Sequence, residues 1–206
     1  MTVSAKKHKS IYEIDLNSWD GKEGFLAQYK GKVSLVINVT ADCGNAPQYG
    51  VIERIYEKYK DQGFEVIAIP TNDFCGNGVT YKEWEDGISC AQDARDYGIK
   101  TYGVTYDFSE LIKSDMSEEW RIKKDRLDQI PHELYQEISK VSVVTGGNFE
   151  KYLFDKEGYF IQHFPNGALL DFVHDHAEKA GVESNVGTAQ EEFERICLAI
   201  ETALAN

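Results

Sequence analysis

No two of the four cysteines, Cys43, Cys75, Cys90 and Cys197, stand in a CxxC pair, which excludes dithiol exchange through adjacent cysteines. Four thiols scattered over 206 residues are also too few for a disulfide scaffold and wrongly spaced for a zinc site. Positive charge is scarce: 22 Lys and Arg against 35 Asp and Glu leave a net charge of −13 and a pI near 4.8. Nucleic acid and anionic membrane surfaces would repel such a chain, so neither is expected as a partner. No apolar run approaches the roughly 20 residues that span a bilayer. Lys6, Lys7 and Lys9 are followed by no apolar h-region, so no secretory signal is expected and a cytoplasmic location is the expectation. In a reducing compartment the cysteines are either buried thiols or redox actors.

What the chain does have is apolar and aromatic content, 42% and 12%, enough to bury one substantial core. The expectation is a single domain over 1–206 with a charged surface insertion at about 109–130. The stretch from Val33 to Asp61 organises it. Val33 to Val39 is almost continuously apolar, as a central strand covered on both faces should be. A tight loop, Thr40 to Asn45, leads into a helix from Gln48 in which Ile52, Ile55, Tyr56 and Tyr59 recur at helical spacing. Cys43 therefore falls just before a helix N-terminus, where unpaired N–H groups and the helix dipole favour a thiolate, the reactive form of cysteine.

Gly63 ends that helix and Phe64 to Ile69 reads as a second buried strand closed by Pro70. Strand, helix and strand make a right-handed βαβ unit with parallel strands. Ligands collect at the carboxyl ends of such strands, which puts Cys43 and the loop Thr71-Asn72-Asp73-Phe74 at one edge. Ile11 to Leu16 alternates like a strand and Asp20-Gly21 is a turn signal, predicting an N-terminal β-hairpin. A helix is predicted over 82–97, a third strand over 101–108 and a short helix over 132–139. A hairpin follows at Tyr152 to Ile161. Thr188 with Glu191 forms a capping box ahead of the stripe Phe193, Ile196, Cys197, Ile200 and Leu204. This order of elements predicts an α/β, thioredoxin-like three-layer sandwich with an N-terminal hairpin and a helical insertion.

Taken together the pieces resemble the glutathione peroxidase family from about Ile11 to Gly167. Asn38-Val39-Thr40-Ala41-Asp42-Cys43-Gly44 is similar to the stretch that holds the family's peroxidatic selenocysteine or cysteine. Ile69-Pro70-Thr71-Asn72-Asp73-Phe74 resembles its second signature, and Gly147-Asn148-Phe149-Glu150-Lys151-Tyr152-Leu153-Phe154-Asp155 the start of its third. Asp20-Gly21 followed by Tyr29-Lys30-Gly31-Lys32-Val33 resembles the family's approach to its first core strand. The family usually has Gln where Asp73 stands and Trp where Gly147 stands. With the Asn, these donate hydrogen bonds to the reactive sulfur or selenium. An ionised Asp73 beside Cys43 would instead repel a thiolate, and Asp42 adds to that field.

The resemblance implies a peroxidase whose site residues are Cys43, Asn148, Asp73 and Cys90. Cys43 would attack a hydroperoxide and become a sulfenic acid. Cys90 falls about where thioredoxin-dependent members keep a resolving cysteine, with Cys75 a competing resolver. Thioredoxin or glutathione would be the reducing co-substrate, with no cofactor and no metal. Thioredoxin is favoured because no basic cluster offers itself to a glutathione carboxylate. A second reading, which Asp73 and Gly147 favour, is a catalytically weakened member serving as a redox sensor or binding module. Cys197 reads as core. His174 and His176, two apart about Asp175, read as a solvated pair rather than as metal ligands.

Overall fold

The computed structural model describes residues 8–41, 43–73, 91–116, 118, 121, 130–144, 147–171 and 188–206. Five strands form one sheet: β1 (Val33–Val39), β2 (Phe64–Pro70), β3 (Asp107–Phe108), β4 (Lys151–Phe154) and β5 (Phe160–Phe164), in the order β3-β2-β1-β4-β5. β1 runs parallel to β2 from the Val33 and Phe64 pair to the Val39 and Pro70 pair, and antiparallel to β4, where Ile37 faces Lys151. β1 is thus central, and every residue of β1 and β2 is buried, which explains their nearly continuous apolar runs, broken only by Ser34, Asn38 and Glu65.

Around the sheet lie α1 (Gln48–Tyr59), α2 (Ala91–Tyr102), α3 (Glu133–Ser139) and α4 (Ala189–Ala205). Strand alternation splits the core in two. Val33, Leu35, Ile37 and Val39 pack with Ile52 and Ile55 of α1 and with Ile196 and Ile200 of α4. Val36, Ile67 and Ile69 pack on the other face with Leu134 and Ile138 of α3 and with the N-terminal segment. α4 begins at the predicted capping box, with Glu191 N–H donating to Thr188 Oγ1 at 3.2 Å and Thr188 N–H to Glu191 Oε2 at 2.7 Å. No helix among the described residues is long and apolar enough to cross a membrane.

Three expectations change. The predicted N-terminal hairpin forms no strands among the described residues. Ile11–Glu13 and Ala27–Tyr29 are 3-10 turns. Ser10 caps the first by accepting from Tyr12 N–H at 3.3 Å, and Ile11 N–H donates across to Gly158 O at 3.1 Å, so the start of the segment docks on the β4–β5 turn, while Phe25 N–H to Leu16 O and Ser18 N–H to Lys22 O, both at 2.9 Å, close the Asp20-Gly21 turn without a strand ladder. The third strand shrinks to Asp107–Phe108, because α2 continues to Tyr102, whose ring stacks on Tyr49 at 5.7 Å. Packing against α1 overrides the β-propensity of the 101–106 run. The charged segment starts inward: Ser109, Ile112, Ser114 and Asp115 are buried, and Ile112 N–H donates to Pro70 O at 3.2 Å.

Gly158 has φ 84°, and a Cβ there would lie 2.4 Å from Ser10 Oγ and 2.8 Å from Tyr12 Cδ2. Gly158→Ala should therefore lose about 1–2 kcal/mol from the left-handed backbone and about 1–3 kcal/mol from overlap. Urea unfolding monitored by tyrosine and tryptophan fluorescence measures it, and an unchanged midpoint would contradict the docking.

Candidate active site

Cys43 follows the carboxyl end of β1 and is half-buried against the α1 side of the core. A tight turn separates it from α1: Ala46 N–H donates to Cys43 O at 2.8 Å, Gln48 N–H to Asn45 O at 3.1 Å and Tyr49 N–H to Ala46 O at 2.9 Å. The turn, rather than the first helical residues, supplies the nearest amide: Asn45 N–H points at Cys43 Sγ from 3.4 Å. A second donor arrives from far along the chain, Asn148 Nδ2 at 3.8 Å from Sγ. Asn45 Nδ2 also donates to Asn148 O at 3.3 Å, which ties the two donors together. Sulfur accepts hydrogen bonds, so the two N–H groups that converge on Sγ fix its position at the turn.

Asn148 is held by Asn38, a buried residue of β1. Asn38 Nδ2 donates to Gly147 O at 2.7 Å, its Oδ1 accepts from Glu150 N–H at 2.8 Å, and its O accepts from Phe149 N–H at 2.8 Å. One amide side chain thereby extends the ladder past the end of β4. Phe149 has φ 68°, a conformation costing a non-glycine residue roughly 1–3 kcal/mol. Its buried ring meets Tyr49 edge-on at 5.0 Å.

Lys151 lies beneath, fully buried. Its Nζ donates to Phe149 O at 2.7 Å, Gln48 Oε1 at 2.9 Å and Pro165 O at 2.9 Å, filling the three donor positions of an ammonium. All three acceptors are neutral. Burial pushes the amine down to about 8, opposed by the charges of Glu150 and Glu192 and reinforced by Arg195.

Asp73 is buried at the end of β2, and its carboxylate serves the chain at 113–115. Oδ2 accepts from Ser114 N–H at 2.5 Å, Asp115 N–H at 3.1 Å and Thr71 Oγ1 at 3.0 Å, and Lys113 Nζ lies 3.4 Å from Oδ1. These donors explain how a carboxylate is tolerated where the family resemblance places an amide. At Gly147 a Cβ would lie 2.0 Å from Asn166 Nδ2, so Asn166 occupies the room a side chain would need. Asn166 N–H donates to Glu150 Oε2 at 3.2 Å, and that oxygen is 2.6 Å from His163 Nε2.

The structure thus brings Cys43 and Asn148 together and places Asp73 on the neighbouring β2 end. Cys75, Cys90, Asp42, His174, Asp175 and His176 lie outside the described residues. Cys197 is buried on the inner face of α4, within the core. Asn38, Lys151 and Asn166 were not singled out in the sequence. A lysine opening an otherwise apolar run, Lys151-Tyr152-Leu153-Phe154, was the one available signal.

A cysteine after the first of two parallel strands, at the head of the following helix, defines a thioredoxin-like fold with a thiol site at the sheet's carboxyl edge. Comparison with known proteins carries this further. A profile of the glutathione peroxidase family matches residues 11–122. Glutathione peroxidase of Lactococcus lactis is 29% identical over 160 residues, 75% of this chain and 88% of that protein. The glutathione peroxidase homolog BsaA of Staphylococcus epidermidis is 31% identical over 157 residues, 76% of this chain and 89% of its own. Among solved structures, GPX1 of T. cruzi superposes with a TM-score of 0.51 at 26% identity, covering 83% of this chain and 94% of that one. The chain belongs to the glutathione peroxidase family, a family of peroxidase oxidoreductases.

The depressed Lys151 amine has a thermodynamic signature. An unfolded lysine titrates near 10.4, so between about pH 8 and 10 the unfolded chain binds more protons at this residue than the folded one does. Stability contributed by Lys151 therefore rises with pH through that window and is level below it. The melting-temperature difference between wild type and Lys151→Met should grow in favour of wild type from pH 8 to 10. Subtraction removes the common tyrosine titrations, and a pH-independent difference would contradict the assignment.

Proposed function

We propose that this protein is a thiol peroxidase whose peroxidatic residue is Cys43. The observation that carries the reading is the convergence of Asn45 N–H and Asn148 Nδ2 on a half-buried Sγ at the end of β1. The thiolate attacks one oxygen of a hydroperoxide, an S–O bond forms as the O–O bond breaks, and the departing alkoxide or hydroxide takes a proton to leave as alcohol or water. Asn148 and Asn45 donate to the sulfur and fix its position for attack. A second thiol, Cys90 with Cys75 as competitor, then condenses with the sulfenic acid, releasing water and leaving a disulfide. Two electrons from a dithiol of the thioredoxin class restore both thiols, and glutathione is the alternative donor. Asp73 enters as a supporting residue, fixing the 113–115 chain beside the β2 end.

A weakened member acting as a redox sensor is the second reading. Gly147 favours it, since that position has no side chain to donate a further hydrogen bond.

The test is peroxide consumption with either a thioredoxin or a glutathione recycling system. Cys43→Ser should abolish turnover with both donors. Cys90→Ser should abolish steady-state turnover with thioredoxin while leaving one equivalent of peroxide consumed. Asn148→Ala should slow sulfenic acid formation by about threefold to tenfold, the worth of one hydrogen bond to an ionised group partly offset by a more basic sulfur. Peroxide consumption indifferent to Cys43→Ser would end the peroxidase reading. A wild type that is oxidised once but not recycled by either donor would favour the sensor.

A further inference from the structure

We infer that Lys151 is a positioning residue of the Cys43 site, acting on the sulfur through Asn148 by pinning the three chain segments that surround it. The inference rests on the peroxidase reading for its purpose, though its geometry stands alone.

The three acceptors of Nζ belong to three separate parts of the site. Gln48 is the first residue of α1, directly after the turn whose Asn45 amide meets Sγ. Phe149 immediately follows Asn148. Pro165 immediately precedes Asn166, whose amide stands over Gly147. One ammonium therefore fixes the relative position of the turn, the donor and the cover.

Phe149 is the point where this matters most. Its left-handed backbone, at φ 68°, turns the chain between Asn148 and β4. A residue in that conformation relaxes unless its neighbours hold it. Both its backbone polar groups are held: N–H by Asn38 O at 2.8 Å and O by Lys151 Nζ at 2.7 Å. Releasing the carbonyl leaves the peptide groups on either side of Phe149 held by Asn38 and Asn45, and Asn148 Nδ2, already at 3.8 Å from Sγ, has little distance to lose.

Stability alone does not select this lysine. Desolvating an ammonium with no carboxylate in direct contact is costly, while an apolar residue would strand three acceptors. These penalties oppose each other. What the amine provides is three directed hydrogen bonds from one atom, joining the turn, the donor and the cover.

A double-mutant cycle tests it, reading Cys43 alone by mass spectrometry. Wild type, Lys151→Met, Asn148→Ala and the double variant are compared for the rate of iodoacetamide alkylation at Cys43 and for the rate of sulfenic acid trapping after hydrogen peroxide. If Lys151 works through Asn148, Lys151→Met slows both rates to within about twofold of Asn148→Ala, and the double variant is no slower than Asn148→Ala alone. Rates for Lys151→Met indistinguishable from wild type, or losses that multiply in the double variant, overturn the inference. Should Lys151→Met fail to fold by near-UV circular dichroism, Gln48→Leu replaces it, removing one acceptor and retaining the amine. The same pattern is expected at smaller amplitude, and the same outcomes overturn it. Non-multiplying alkylation rates in a wild type inert to peroxide would leave the Lys151 assignment standing and sink the peroxidase reading.

Discussion

The clamp that Asn38 places on residues 147–150 is the interaction on which the site depends. β1 is the middle strand of the sheet and is buried on both faces, so displacing it would break its pairing with both β2 and β4. Asn38 lies one residue before its carboxyl end, and its backbone and side chain together engage Gly147, Phe149 and Glu150. The sulfur and its distant donor are thus both referred to one rigid strand. Cys43 leaves that strand directly, and Asn148 is delivered to it by β4, its antiparallel neighbour.

The side-chain polar atoms of Asn38 and Lys151 are tolerated so deep in the sheet because each finds a partner. Asn38 completes the ladder at the point where regular pairing stops, and Lys151 closes three carbonyl-type acceptors below it. Asp73 does the analogous job on the β2 side, gathering N–H groups of 114 and 115. The edge of the sheet is therefore a layer of directed hydrogen bonds over an apolar base in which the Tyr49 ring meets both Phe149 and Phe108. Such a layer positions groups more sharply than apolar packing does, because hydrogen bonds weaken steeply with angle.

Much of this was legible in the sequence. The βαβ unit, the β4–β5 hairpin and the capped last helix follow from periodicity and turn chemistry, since each is stabilised mainly by its own pattern of apolar residues. At the N-terminus, alternation in Ile11 to Leu16 reports burial on one side, and burial in the core on the α3 side of the sheet produces it as well as strand pairing does. Thr101 to Phe108 was misread because its tyrosines look like strand residues until Tyr49 is placed opposite Tyr97 and Tyr102. Cys43 and Asn148 stood out through their flanking motifs. Asn38 and Lys151 did not, because a polar residue in an apolar run acquires meaning only from partners more than 100 positions away, as Gln48 is from Lys151.

The separation of 105 residues between Cys43 and Asn148 bears on how the protein is made. During synthesis the thiol leaves the ribosome with β1 and its turn, long before β4 has been translated. Until that hairpin inserts beside β1, the long-range donor and the strained peptide behind it do not exist, and loop closure over such a span comes late in folding. On the peroxidase reading, a nascent chain therefore carries Cys43 without its long-range donor, and the site is assembled only when the sheet is complete.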